Sequence, residues 1–181
     1  MNNKKRKSRE EIKTNYDKGK VNKMIIDKEK GNIIFETGEV LKPLMTLDEV
    51  KASSIMNLLR NETPEDIDKN MYLRFEPFTC YGSTVYMDAV MFSKKVGKIT
   101  ICLDESANLY EDPYYDKKFS MLIDRHKNFI KKALQIDEVK DYENFKWGYV
   151  HFSANFRDAF MEIEIHYDFD LDNENSEDLW L

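Results

Sequence analysis

The sequence predicts an α+β fold: a largely antiparallel sheet, made of a hairpin, a meander and a C-terminal hairpin, packed against one long and one short helix. Three observations predict it. Apolar and polar residues alternate with period two in Met71–Phe75, in "STVYMDAVMF" and "KITICLD", and again in "GYVHFSA" and "MEIEIHY", the pattern of half-buried strands. One long stretch, Tyr114 to Gln135, repeats apolar residues at the 3-4-7 spacing of an amphipathic helix. A composition of 41% hydrophobic and 13% aromatic residues supplies a packed core despite 34% charged residues.

The elements follow in order. "MIID" (Met24–Asp27) and "NIIFE" (Asn32–Glu36) are β-favouring runs separated by "KEKG", whose glycine suits a positive φ, so they form a hairpin. In "TLDEVKASSIMNLL", Thr46 and Glu49 make a capping box. Val50, Ile55, Leu58 and Leu59 can share a helical face, and Ser53 and Ser54 are placed to end the helix early. "NETPEDIDKN" (Asn61–Asn70) is polar, holds a proline and reads as a loop. Three antiparallel strands come next, the second and third joined across "SKKVG", and then the loop "ESANLYEDP". The long helix directs Phe119, Leu122, Ile123, His126, Ile130, Ala133 and Leu134 to the core, and "IDEVKDYEN" is a polar link to the last hairpin.

A chain of 181 residues is the size of one domain and buries enough surface to need no staples. The expected division is a basic, flexible N-terminal arm at 1–21, a single α+β domain at 22–171 and an acidic tail at 172–181. Met1–Met24 holds nine basic residues against three acids, a net +6, so a whole-chain charge of −6 leaves −12 on the rest. That acidic remainder repels phosphate, which argues against duplex binding by the body while leaving the arm able to touch nucleic acid. Because the arm has only Ile12 and Tyr16 as large apolar side chains, it is expected to be dispensable for folding. The first residues contain no apolar signal region, and nowhere do about 18 apolar residues run uninterrupted, so a cytoplasmic protein is expected. Cys80 and Cys102 form no CxxC pair and read as ordinary reduced thiols.

The stretch "KWGYVHFSANFRDAFMEIEIHYDFD" concentrates histidines, aromatics and carboxylates. A turn at Asn155–Asp158 would set Phe152 against Met161, Val150 against Ile163 and Gly148 against Ile165, with the apolar residues on one face. The other face would place His151 opposite Glu162, Tyr149 opposite Glu164 and Trp147 opposite His166. In that register the two histidines lie about four residue steps apart, roughly 13–14 Å, too far to share a zinc ion. Asp168, Asp170 and Asp172 alternate as in a calcium loop, but Asn173 stands at the glycine position and Leu179 at the twelfth. No phosphate-binding, dinucleotide-binding, zincin or nucleophile-elbow motif is present. No catalytic, cofactor or metal residues are therefore assigned. The candidate partner-binding set is Trp147, Tyr149, His151, Glu162, Glu164, His166 and Asp168, where aromatics would anchor and carboxylates steer a basic protein surface.

From Asn22 to Tyr167 the succession "MIIDKEKGNIIFETGEVLKPLMTLDEVKASS", meander, long helix, "KWGYV" and "MEIEIHY" resembles a class of small bacterial proteins associated with toxin systems and treated as immunity proteins. The resemblance implies a cytosolic module that neutralises a toxin, such as a basic toxin domain, by occluding it. It carries over no functional residue. Two alternatives from other classes stand beside it: a small hydrolase or transferase using dispersed acids with His151 or His166, and an accessory protein whose arm contacts nucleic acid. A pocket joining a histidine to a carboxylate would favour the enzyme, and an exposed aromatic-acidic face the binder.

Overall fold

Two antiparallel sheets and one long helix form the body of the computed structural model, which describes residues 21–60, 65–67, 70–103, 115–157 and 160–168. The fold is α+β as the alternation predicts. The smaller sheet begins with the expected hairpin, β1 (Met24–Ile26) and β2 (Ile33–Phe35), with Met24 opposite Phe35 and Ile26 opposite Ile33. Its turn is tied by Asp27, whose carboxylate accepts from the Glu29 and Lys30 amides and whose carbonyl accepts from Gly31 at 2.7 Å. Gly31 sits at φ +71°, the conformation for which glycine was expected there. A third strand, β3 (Val40–Leu41), returns after Gly38 and pairs with β2. Two residues are too few to show alternation, so β3 has no signature in the sequence. Val21 is fully buried, which extends the packed body one residue before the expected boundary at 22.

The capping box forms: the Thr46 hydroxyl accepts from the Glu49 amide, and Glu49 returns to the Thr46 amide at 2.7 Å. It opens α1 (Leu47–Ala52), which stops at Ser53, whose hydroxyl donates to the Val50 carbonyl at 2.8 Å. A 3₁₀ turn over Ser54–Leu58 follows. Val50, Ile55 and Leu59 are buried although the helix breaks between them.

The large sheet runs β4 (Glu65–Ile67), β5 (Asn70–Arg74), β7 (Ser83–Phe92), β8 (Lys95–Leu103), β11 (Phe160–Tyr167), β10 (Gly148–Asn155) and β9 (Tyr142–Phe145), with the short β6 (Phe78–Cys80) also pairing β7. Three expectations are corrected here. Asn61–Asn70 is not all loop, because Glu65–Ile67 pairs with β5. The link "IDEVKDYEN" runs into an edge strand, with Tyr142 opposite His151. The turn between β7 and β8 tightens to Ser93 and Lys94, both at positive φ (48° and 64°), so β8 begins at Lys95, inside "SKKVG". An irregularity between Val90 and Met91 leaves Gly97 of β8 as the extra residue, so the inward side chains of β8 step from Ile99 to Val96. "ESANLYEDP" and the tail from 169 onward lie outside the described residues, as does the arm over 1–20.

The amphipathic stretch forms α2 (Tyr115–Leu134), ended by Gln135 at φ +55°. It buries Phe119, Leu122, His126, Ile130, Ala133 and Leu134, and in addition Phe129, whose ring meets Tyr81 edge-on at 5.6 Å. The helix crosses β1, β10 and β11, closing a core that includes Met87, Ile99, Ile101, Val150, Phe152, Ile163 and Ile165.

Candidate functional site

The last hairpin pairs two residues away from the expected register. Gly148 faces Tyr167, Tyr149 faces His166, Val150 faces Ile165, His151 faces Glu164 and Phe152 faces Ile163. Asn155 pairs with Phe160, so the connection starts one residue later than the turn expected at Asn155–Asp158. A slip of two preserves every inward and outward assignment, which is why alternation could not detect it. Its effect on the outward face is large. His151 and His166 are two residue steps apart along the ribbon, not four, and the 13–14 Å separation expected for them does not hold.

Both histidines instead reach one carboxylate. Oε2 of Glu164 lies 3.1 Å from His166 Nε2 and 3.5 Å from His151 Nδ1, and Oε1 accepts from the ammonium of Lys98 on β8. Lys98 is opposite His166 in the β8–β11 ladder, one diagonal step from Glu164. Each imidazole is stacked on the tyrosine opposite it: Tyr142 on His151 at 4.0 Å and 12°, Tyr149 on His166 at 4.5 Å and 15°. Cross-strand neighbours stand close enough for such contacts, so the ladder itself sets them. Glu162 lies two residues before Glu164 on the same face, opposite Ser153. The side chains are half-buried: 16% exposed for Glu164, 18% for His166 and 24% for Lys98.

This packing separates the two carboxyls electrostatically. Burial pushes Glu162 up to about 7, and its hydrogen bond to Glu164 and the charge of Glu164 add to the rise. Burial works to raise Glu164 too, but hydrogen bonds from Lys98 and His166 and the nearby ammonium outweigh it and bring Glu164 down to about 2. His166 is lowered by burial, against the pull of Glu164. Tyr149 is raised by burial and by the Glu164 charge.

Five of the seven sequence-predicted residues therefore come together: Tyr149, His151, Glu162, Glu164 and His166. Trp147 stands apart in the turn between β9 and β10. Its indole stacks on Phe145 at 4.9 Å, donates Nε1–H to the Lys28 carbonyl at 2.9 Å and lies against Gly31. It does not face His166, and it ties the small sheet to the large one. Asp168 follows the end of β11, where its amide donates to the Trp147 carbonyl. Lys98 and Tyr142 join the site without having been predicted. Lys98 alternates outward with Thr100 and Cys102, a visible signal, but only strand order brings it to Glu164.

Among the described residues, no three His, Cys, Asp or Glu side chains are placed to hold a metal ion. The thiols are not poised as nucleophiles, because burial pushes Cys80 up to about 12 and Cys102 up to about 11. His126 is internally satisfied on α2: its ring accepts from the Leu103 amide and donates to the Leu122 carbonyl at 2.8 Å. A groove of about 440 Å³ lies between α2 and the β6–β7 turn, lined by Tyr81, Ser83, Arg125, Asn128, Phe129 and Lys132, and neither His151 nor His166 borders it. No described helix is long and apolar enough to cross a membrane.

Comparison with known proteins finds no matching family, no matching curated protein and no matching solved structure.

Proposed function

We propose that this chain is a cytoplasmic protein-binding module that docks a basic partner on the outward face of β8–β11–β10–β9, acting as an immunity protein that occludes a toxin. The observation that carries the reading is the pair of tyrosine–histidine stacks held beside two carboxyls on adjoining strands. Rings fixed by cross-strand stacking lose little freedom on binding, which is what makes aromatic anchors effective, and the carboxyls give the face its sign preference. Tyr142 is the most accessible of these rings, at 53% exposed.

The test is co-purification with the product of a toxin-like gene adjacent to the coding sequence, followed by titration of purified partner against Tyr142→Ala and Tyr149→Ala. Folded variants should bind about 5- to 150-fold more weakly, the loss of roughly 1–3 kcal/mol expected of anchors. Normal folding with unchanged binding would place the interface elsewhere.

A second reading, a small hydrolase or transferase, is supported by the imidazole–carboxylate contacts, which orient a ring as a general base requires. The groove described above does not reach them, so the binding role is preferred.

A further inference from the structure

We propose that this face is a proton-linked recognition surface: protons on the Glu162–Glu164–His166 cluster and a basic partner exclude one another, so acidification releases the partner. The inference rests on the binding role proposed above and adds its regulation.

The geometry places several ionisable groups together on four adjoining strands, β8, β11, β10 and β9. On β11, Glu162, Glu164 and His166 occupy alternate positions of one face, with Asp168 just beyond the strand. From β8, Lys98 bonds Glu164, and Cys102 stands beside Glu162 with Asp88 of β7 behind it. From β10, His151 reaches Glu164, and Tyr149 covers His166. From β9, Tyr142 covers His151. The Lys98 ammonium is bonded to Glu164, two residues from Glu162 on the same face. Glu164 has both oxygens engaged, Oε1 by Lys98 and Oε2 by the imidazoles. Glu162 is hydrogen-bonded to Glu164 through its own proton, and it is this proton that a partner's guanidinium or ammonium would replace.

Like charges at such separation disfavour simultaneous ionisation, and the carboxyl without the ammonium holds the proton. Burial and Glu164 together raise Glu162 to about 7. A cation brought against Glu162 therefore sends that proton to solvent, leaving a carboxylate paired with the cation. The reverse holds on acidification: Glu162 takes up its proton first, and His166, lowered by burial, becomes cationic at lower pH. Both uptakes add positive charge to a surface that recognises positive charge, so both oppose the partner.

The test uses the full chain and a fluorescein-labelled nona-arginine peptide at constant ionic strength, with Kd measured by polarisation from pH 8 to pH 5.5. Folding is monitored in parallel by circular dichroism. The expected result is a Kd at least about tenfold weaker at pH 5.5 than at pH 8, with proton release on binding near pH 7 measured by calorimetry in buffers of different ionisation enthalpy. Glu162→Gln should abolish the release near pH 7 and flatten that part of the profile. Peptide binding weakened by Tyr142→Ala but independent of pH would overturn the proton linkage and leave the binding role standing. So would a wild-type profile retained by Glu162→Gln. Failure of the peptide to bind, or binding indifferent to Tyr142→Ala, would overturn the basic-partner reading and the linkage with it.

Discussion

Replacing Ile163 with alanine tests the division between the inward and outward faces of β11. Ile163 is 0% exposed, with Ile101 of β8 on one side and Phe152 of β10 on the other. The change deletes three carbons, which at about 0.8 kcal/mol per buried methylene gives roughly 2.4 kcal/mol of lost transfer energy. The cavity left behind adds to this, because both flanking strands are held in hydrogen-bonded ladders and cannot close over the gap. A total of roughly 3–4 kcal/mol is expected, within the range of such truncations. For a chain of this length that lowers Tm by roughly 6–16 °C. Urea denaturation followed by tryptophan fluorescence, supported by a thermal scan, measures it, with Tyr142→Ala as the outward control at less than about 1 kcal/mol. A loss below about 1 kcal/mol for Ile163→Ala, or an equal loss for Tyr142→Ala, would refute the assignment of faces.

Three further outcomes are expected. Gly148→Ala should cost more than about 3 kcal/mol in denaturant titrations, because the added carbon would fall 1.9 Å from the His166 carbonyl oxygen at a φ of +140°; Gly38→Ala, with open space around it, should lose only about 1 kcal/mol. Trp147→Phe keeps a ring but removes the hydrogen bond to Lys28, so the Gly31 amide should exchange faster with deuterium while β8 amides stay protected. His126 is lowered by burial, so it contributes stability present above its ordinary value of about 6.5 and lost as pH falls through its folded value; an NMR titration should find its ring titrating below the range of a free histidine.

The outward face also revises what is expected of Glu164. Alternation alone makes it a replaceable surface acid, but it holds Lys98 and two imidazoles, so Glu164→Ala should destabilise the sheet as well as alter binding. Glu162 and Tyr142 are the cleaner probes of recognition.

Much of the architecture was legible because local chemistry decides it. Alternation at Val150–Phe152 and Ile163–Ile165 placed those side chains in the core, the 3-4-7 spacing marked α2, and Thr46 with Glu49 marked the start of α1. These signals depend only on backbone periodicity and on groups a few residues apart. What escaped was non-local. Alternation has period two, so it cannot distinguish a register from one two residues away. That choice lay with the turn after Asn155 and with the neighbouring strands β8 and β9. The strand order in turn decided that Lys98, 66 residues upstream, would bond Glu164 while burial raised Glu162, and that Trp147 would pin the first hairpin instead of joining the face. Sequence by itself determined which side of each strand is wet. Only the tertiary structure decided which wet residues touch, because contact between strands is a property of pairing, and pairing minimises energy over the whole sheet.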